Sequence, residues 1–214
     1  MRFFSALLDL VLPRDPAREA ARAATADDFA ALLDRRVAPG SGIISYLRFG
    51  DPLVRAAVHE LKYRGHVPLA LALAGAIADE LIADIGERTL ATRGGPATII
   101  PVPLSRTHAR ERGFNQSELV ARAIAEIAGR DAFVVRTDVV ERIREGPSQT
   151  SLAEHAAREE NVRDAFSVPD PARVPRGLIV ALDDVATTGS TLREVGLALR
   201  KVGAGDLMLV AIVH

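Results

Sequence analysis

Leu178-Ile-Val-Ala-Leu-Asp-Asp-Val-Ala-Thr-Thr-Gly-Ser-Thr-Leu192 is the stretch that decides the fold. Its first five residues are an unbroken apolar run. A run of that length implies a strand buried on both faces, as parallel sheets flanked by helices contain. Two adjacent carboxylates, Asp183 and Asp184, close the run. They stand at the carboxyl end of a strand, where open α/β sheets bind their ligands. Thr187-Thr-Gly-Ser-Thr191 comes next, a loop of small hydroxyl residues around one glycine, and it leads straight into a helix expected over Thr191–Val202. Hydroxyls and backbone N–H groups at a helix N-terminus make an anion site, and glycine lets the backbone approach the anion closely.

Carboxylates repel a phosphate, so a ligand meeting both parts must be bipartite, with vicinal hydroxyls facing the acids and a phosphate facing the loop. A ribose 5-phosphate has that shape. A plain turn with a helix cap needs only one Ser or Thr. Here Asp183, Asp184, Thr187, Thr188, Gly189, Ser190 and Thr191 together exceed that need. Other phosphate loops are missing: there is no Gly-x-x-x-x-Gly-Lys-Ser/Thr, and Gly203-x-Gly205 lacks a third glycine and precedes a strand.

The same grammar extends outward from this segment. Ala97–Pro103 reads as a strand feeding the polar segment Leu104–Phe114 and a helix that ends near Ala128. Phe133–Val140 reads as a strand, and Leu207–Val213 as a second buried one. Strand, glycine or proline punctuation, then helix, repeated, implies an α/β domain with a parallel sheet. Upstream, residues 17–37 read as a helix bounded by Pro39-Gly-Ser-Gly42, and Ile43–Leu47 as a short strand. Apolar residues at 53, 54, 57, 58 and 61 give a helix with one buried face, and another helix is expected over Pro68–Ile85. The expected organisation is an N-terminal helical appendage, residues 1–42, followed by an α/β domain, residues 43–214.

At 214 residues, with 48% hydrophobic and 26% charged residues, the chain has the composition of one folded domain rather than of a disordered segment. Lys and Arg number 27 against 28 Asp and Glu, a net charge of -1. No global field therefore draws it to nucleic acid or an anionic membrane, and direct nucleic acid binding is disfavoured. There is no Cys, which excludes disulfides, thiolate zinc sites and cysteine nucleophiles. The apolar start Met1–Leu12 is not read as a secretion signal, because Asp9 interrupts it and Pro13-Arg-Asp-Pro16 replaces a cleavage site. It is also too short to span a membrane. A cytoplasmic protein with no membrane partner is expected.

The apolar strand with Asp183-Asp-Val-Ala-Thr-Thr-Gly-Ser-Thr191 resembles the phosphoribosyl pyrophosphate motif of type I phosphoribosyltransferases. The wider chain resembles the ComF branch of that group. Ile100-Pro-Val-Pro-Leu-Ser-Arg106 with Arg110-Glu-Arg-Gly-Phe-Asn-Gln116, Gly146-Pro-Ser-Gln-Thr150 with Asn161-Val-Arg-Asp-Ala-Phe166, and Leu61-Lys-Tyr-Arg-Gly65 carry that likeness in the family's order. It covers residues 43–214 and implies a type I phosphoribosyltransferase fold, a central, mostly parallel twisted sheet flanked by helices. It also implies binding of phosphoribosyl pyrophosphate with Mg²⁺ and transfer of the phosphoribosyl group to a base or amine, with release of pyrophosphate. Two departures stand out. The family's four-cysteine zinc module cannot form, and Thr187 occupies a position where purine-salvage relatives carry an aspartate.

By the same resemblance Asp183 and Asp184 orient the ribose hydroxyls, with Mg²⁺ held through substrate oxygens, and Thr187, Thr188, Gly189, Ser190 and Thr191 hold the 5-phosphate. Leu104, Ser105 and Arg106 bind pyrophosphate, Arg106 acting as a charge clamp. Residues 142–163, with Arg142, Ser148, Gln149 and Arg158, form a flap that excludes water. A homodimer is the implied assembly. The alternative is a non-catalytic accessory protein that binds phosphoribosyl pyrophosphate or a nucleotide and is linked to competence and DNA uptake. Nothing in the sequence announces the acceptor. Lys62, one of only two lysines, is left between a functional role and simple solvent exposure. The only Asn and Gln residues, 115, 116, 149 and 161, fall in two of the resembling segments and serve either ligand binding or turns and caps.

Overall fold

The structure, a computed structural model, describes residues 16–89, 95–144 and 164–214. Helices α1 (Pro16–Ala23) and α2 (Ala26–Ala30) lead to strands β1 (Leu33–Val37) and β2 (Ile44–Leu47). Helices α3 (Pro52–Arg64) and α4 (Val67–Thr89), strand β3 (Ala97–Pro101) and helices α5 (Arg106–Arg112) and α6 (Gln116–Ala128) follow. Strands β4 (Phe133–Val135), β5 (Glu141–Arg142), β6 (Phe166–Ser167) and β7 (Ile179–Val185), helix α7 (Ser190–Lys201) and strand β8 (Leu207–Val213) complete the described elements. Six strands make one sheet in the order β1-β2-β8-β7-β3-β4, parallel except for the β1–β2 hairpin. Strands β5 and β6 form a separate antiparallel ribbon. This is the mostly parallel, helix-flanked α/β architecture that the alternating pattern implies.

The continuous apolar run at 178–182 follows from the place of β7 in mid-sheet. Leu178, Val180 and Leu182 enter a core shared with α3, α4 and α6, while Ile179 and Ala181 enter a second core with Leu192, Val195 and Leu199 of α7. Each fully buried aliphatic side chain contributes roughly 1.5–3 kcal/mol. Helix α3 is closed at both ends. Asp51 accepts the N–H groups of Leu53 and Val54, and Pro52 occupies the first turn. At the other end Gly65 adopts the left-handed conformation, φ +58°, where a Cβ would meet the Phe114 ring at 2.9 Å. That close approach presses the end of α3 against the corner between α5 and α6.

Residues 17–37 differ from the single helix expected of them, giving two short helices and strand β1. The cause is long-range. Arg35 Nε lies 3.0 Å from both carboxylate oxygens of Asp84 on α4, and the Tyr46 hydroxyl of β2 donates to the same carboxylate at 2.8 Å. Burial and then this bond push the Tyr46 hydroxyl far up, so it stays a donor. Helix α1 is tied to α3 by Arg22 Nε, which donates to Glu60 at 2.7 Å. Ala26 of α2 lies against Gly75 of α4. The boundary expected between residues 42 and 43 thus falls inside the β1–β2 hairpin, and residues 16–42 share the sheet and core of the rest.

Two further elements differ from expectation. The polar segment Leu104–Phe114 contains helix α5, capped by Ser105. The strand expected over Phe133–Val140 stops at Val135, where Arg136 and Asp138 pair with each other at 2.7 Å. The Arg35–Asp84–Tyr46 group supplies a stability test. Tyr46→Phe should cost about 1–2 kcal/mol in urea unfolding, because Arg35 still satisfies part of Asp84. Asp84→Ala, which strands a buried hydroxyl and a guanidinium, should cost about 3 kcal/mol.

Candidate functional site

Parallel pairing of β3 with β7 places Pro101 beside Leu182, and Val102 N–H continues the ladder to the Leu182 carbonyl at 2.8 Å. The loops leaving these two strands, residues 102–105 and 186–189, therefore share one edge of the sheet. Asp183 and Asp184 lie on β7 just before that edge. Asp183 Oδ1 accepts from the Ser117 hydroxyl at 3.2 Å and from the Asp184 N–H at 2.9 Å. Asp184 is 5% exposed, and Lys62 Nζ of α3 stands 3.1 Å from its Oδ2. That oxygen has no directed hydrogen bond. Burial first, and then the neighbouring Asp184 charge, push the Asp183 carboxyl up, while Lys62 pulls against them. A buried carboxylate costs free energy unless it is paired, and here Lys62 supplies the counter-charge to Asp184 while Ser117 supplies a donor to Asp183.

Thr187–Thr191, expected to hold a phosphate, occupy the turn into α7 and its first residues. The Thr188 and Ser190 hydroxyls are 3.0 Å apart, the Ser190 N–H donates to Thr188 Oγ1 at 3.3 Å, and Arg193 Nη1 donates to the Thr188 carbonyl at 2.9 Å. Thr187 is exposed, and Thr191 sits in the first turn. Gly189 is the N-cap at φ +69° and can make no side-chain cap of its own, so at the start of this 12-residue helix the Thr188 hydroxyl takes the Ser190 N–H instead. A Cβ on Gly189 would run into Ile43 Cδ1. Glycine is required there for its φ and for the space, and the helix that it begins starts in the loop directly after the acids of β7.

Across β3, Leu104 and Ser105 form the adjoining loop. Ser105 is buried, and its hydroxyl accepts the His108 N–H at 3.2 Å, so it caps α5. Arg106 begins that helix and is exposed. Asn115 braces the loop from behind, donating through Nδ2 to the Val102 carbonyl at 2.9 Å and accepting the Ser117 N–H at 3.0 Å. Gln116 accepts from Arg112 at 3.1 Å. Asn115 thus serves as a cap, whereas Gln116 ties the first turn of α6 to Arg112 of α5. Beside β3, Pro101, Pro103, Phe114, Asn115, Glu118 and Thr137 line a cleft of 320 Å³.

Arg142, expected in a flap, lies on the β5–β6 ribbon with its guanidinium 5.5 Å from the Phe166 ring centroid, and its Nε donates to the Arg144 carbonyl at 3.1 Å. Ser148, Gln149 and Arg158 lie outside the described residues. Two residues join the acids that spacing did not assign to them. Ser117 carries no local signature. Lys62 is marked only by the rarity of lysine, and its neighbour Tyr63 links α3 to α5, with Arg112 standing 5.6 Å from its ring centroid.

No family model matches the chain. The DNA utilization protein YhgH of Salmonella typhimurium is 32% identical over 173 residues, spanning 80% of this chain and 71% of that protein. Competence protein F of Haemophilus influenzae is 31% identical over 115 residues, 53% of this chain and 48% of that protein. The chain belongs to the ComF/YhgH family. The ComF resemblance drawn from the four sequence segments is thereby established. Escherichia coli K12 carries another YhgH, 29% identical over 171 residues.

Among solved structures, the allosteric regulatory enzyme of purine biosynthesis aligns at TM-score 0.37 and 17% identity, covering 72% of this chain and 30% of that one. A purine phosphoribosyltransferase from Pyrococcus horikoshii aligns at TM-score 0.31 and 19% identity, covering 62% and 69%. At such scores the fold of this ComF/YhgH chain rests on its own strand order. None of its helices among the described residues is long and apolar enough to cross a membrane.

Gly189 provides the local test. Gly189→Val should lower stability by about 1–3 kcal/mol, from the left-handed φ and the collision with Ile43, in thermal unfolding. Gly189→Ala should move it in the same direction by less.

Proposed function

We propose that this ComF/YhgH chain binds phosphoribosyl pyrophosphate and transfers its phosphoribosyl group to a base or amine. The observation that carries this reading is the placement of the acid pair and the glycine-led start of α7 on one edge of the sheet, beside the Leu104–Arg106 segment. In the reaction the bond from C1 to the diphosphate oxygen breaks, and a bond from C1 to the nucleophile forms. The nucleophile's proton passes to water, and the electron pair of the broken bond leaves with pyrophosphate. Asp183 and Asp184 hold the ribose hydroxyls, and their charge favours the positive ring that develops. Thr187–Thr191 hold the 5-phosphate, and Arg106, exposed at the start of α5, serves as the charge clamp on the diphosphate. Thr187 supplies no carboxylate base, so the nucleophile must present its own lone pair.

Magnesium fits this donor set. Among the described residues no three metal-ligating side chains converge. The chain offers Asp183 and Asp184, and diphosphate and water oxygens would complete the coordination that this hard cation prefers. Bound there, it would neutralise charge on the leaving group.

The names of the relatives, DNA utilization protein and competence protein, favour a second reading in which the same site binds its ligand without turnover. A phosphorylated metabolite as ligand fits a cytoplasmic setting under either reading.

Calorimetric titration of phosphoribosyl pyrophosphate, with and without Mg²⁺, tests the site. Metal-dependent binding by the wild type, lost in the Asp183→Ala/Asp184→Ala double variant, is expected. Absence of binding to folded wild type, or undiminished binding to the variant, would sink the assignment. Pyrophosphate release on adding bases or amines separates transferase from binder.

A further inference from the structure

We infer that Lys62 is a specificity-determining residue that selects ligands carrying an anionic group on the same ring face as the ribose hydroxyls. The inference rests on the assignment of Asp183 and Asp184 to those hydroxyls and goes beyond it in naming what lies next to them. Lys62 comes from α3, far in sequence from the acids, yet its Nζ is 3.1 Å from Asp184 Oδ2, with the two side chains 29% and 7% exposed. The partner oxygen is buried and has no directed hydrogen bond. The ammonium is therefore held at the acid pair by charge, while part of the lysine side chain remains open to solvent.

An ammonium carries three N–H donors. Asp184 occupies one direction, which leaves donors for a second anion at the mouth of the site. A hydroxyl bonded to Asp184 comes within about 5 Å of Nζ, from the sum of two bonded distances at an ordinary angle. Whatever projects from the ribose on its hydroxyl face meets that ammonium. In phosphoribosyl pyrophosphate the diphosphate on C1 projects on that face, cis to both hydroxyls. Ribose 5-phosphate shares the hydroxyls and the 5-phosphate and has no anion on C1. Lys62 thus bridges Asp184 and the diphosphate, and discrimination between the two ligands follows from one charge.

The position of Lys62 is built rather than incidental. Gly65 ends α3 against the Phe114 ring, and Arg112 stands over Tyr63, so the last turn of the helix is fixed against the α5–α6 corner. From that same corner Ser117 reaches Asp183 at 3.2 Å. The two acids are therefore addressed separately, one by a hydroxyl from α6 and the other by an ammonium from α3.

Titration calorimetry of full-length wild type, Lys62→Gln and Lys62→Arg with phosphoribosyl pyrophosphate and with ribose 5-phosphate, each with Mg²⁺, tests the inference. Lys62→Gln should lose about tenfold or more in affinity for phosphoribosyl pyrophosphate and little for ribose 5-phosphate, as expected for loss of a charge-assisted bond. Lys62→Arg, which keeps the charge, should recover part of the preference and guards against a Gln variant that fails to fold. Equal losses for both ligands, or none for either, would overturn the role of Lys62 and leave the site assignment standing. A wild type that binds neither ligand would overturn both. The preference is a ratio of two affinities, so a purely structural effect of the substitution would not move it.

Discussion

A strand buried on both faces can end in charge only where the sheet itself ends, and that constraint organises the molecule. β7 lies between β8 and β3 with apolar cores on either side, so its run of Ile, Val, Ala and Leu has no water-facing position. The first acids are tolerated at the edge where the parallel strands stop, and there the cost of burying a carboxylate is met by specific partners. Asp183 takes a hydroxyl from α6, and Asp184 an ammonium from α3. The loops that follow β3 and β7 are carried to the same edge because parallel neighbours end together.

The surroundings of this edge depend on a few close approaches. Gly65 lets α3 end against Phe114, Gly189 lets the β7–α7 turn pass Ile43, and Asn115 holds the β3 loop by its Val102 carbonyl. The two glycines act by backbone fit, whereas Asn115 adds a side-chain hydrogen bond. In the turn before α7 the Thr188 and Ser190 hydroxyls bond each other and the Ser190 N–H bonds Thr188, because the glycine at the N-cap has no side chain with which to satisfy the helix that it begins. Electrostatically the acid pair is asymmetric: Asp184 has a counter-charge, whereas Asp183 is pushed up by burial and by its neighbour.

The N-terminal third shows how distant contacts override local pattern. Residues 33–37 read locally as the tail of a helix, yet they lie as a strand because Arg35 finds Asp84, and Tyr46 meets the same carboxylate. The sequence separation of 49 residues between Arg35 and Asp84 is invisible to any periodicity. Likewise Ser105, grouped with Arg106 as a pyrophosphate contact, spends its hydroxyl on the α5 cap, a use that its position just before a polar segment does not distinguish.

The α/β class, the buried strands at 97–101, 179–185 and 207–213, the helix that ends at Ala128, and the acid-loop-helix order at 183–191 were legible in the chain alone. Each is written in neighbouring residues, as an unbroken apolar run, a glycine among hydroxyls, or a helical spacing. The strand at 33–37, the capping duties of Asn115 and Ser105, and the pairing of Lys62 and Ser117 with the acids were decided only by the tertiary structure. Their partners lie far along the chain or on other elements, and only packing determines which helix end faces which strand end. Local chemistry could announce a site on β7, but the cation and hydroxyl that complete it are supplied by α3 and α6 through the way those helices cross the sheet.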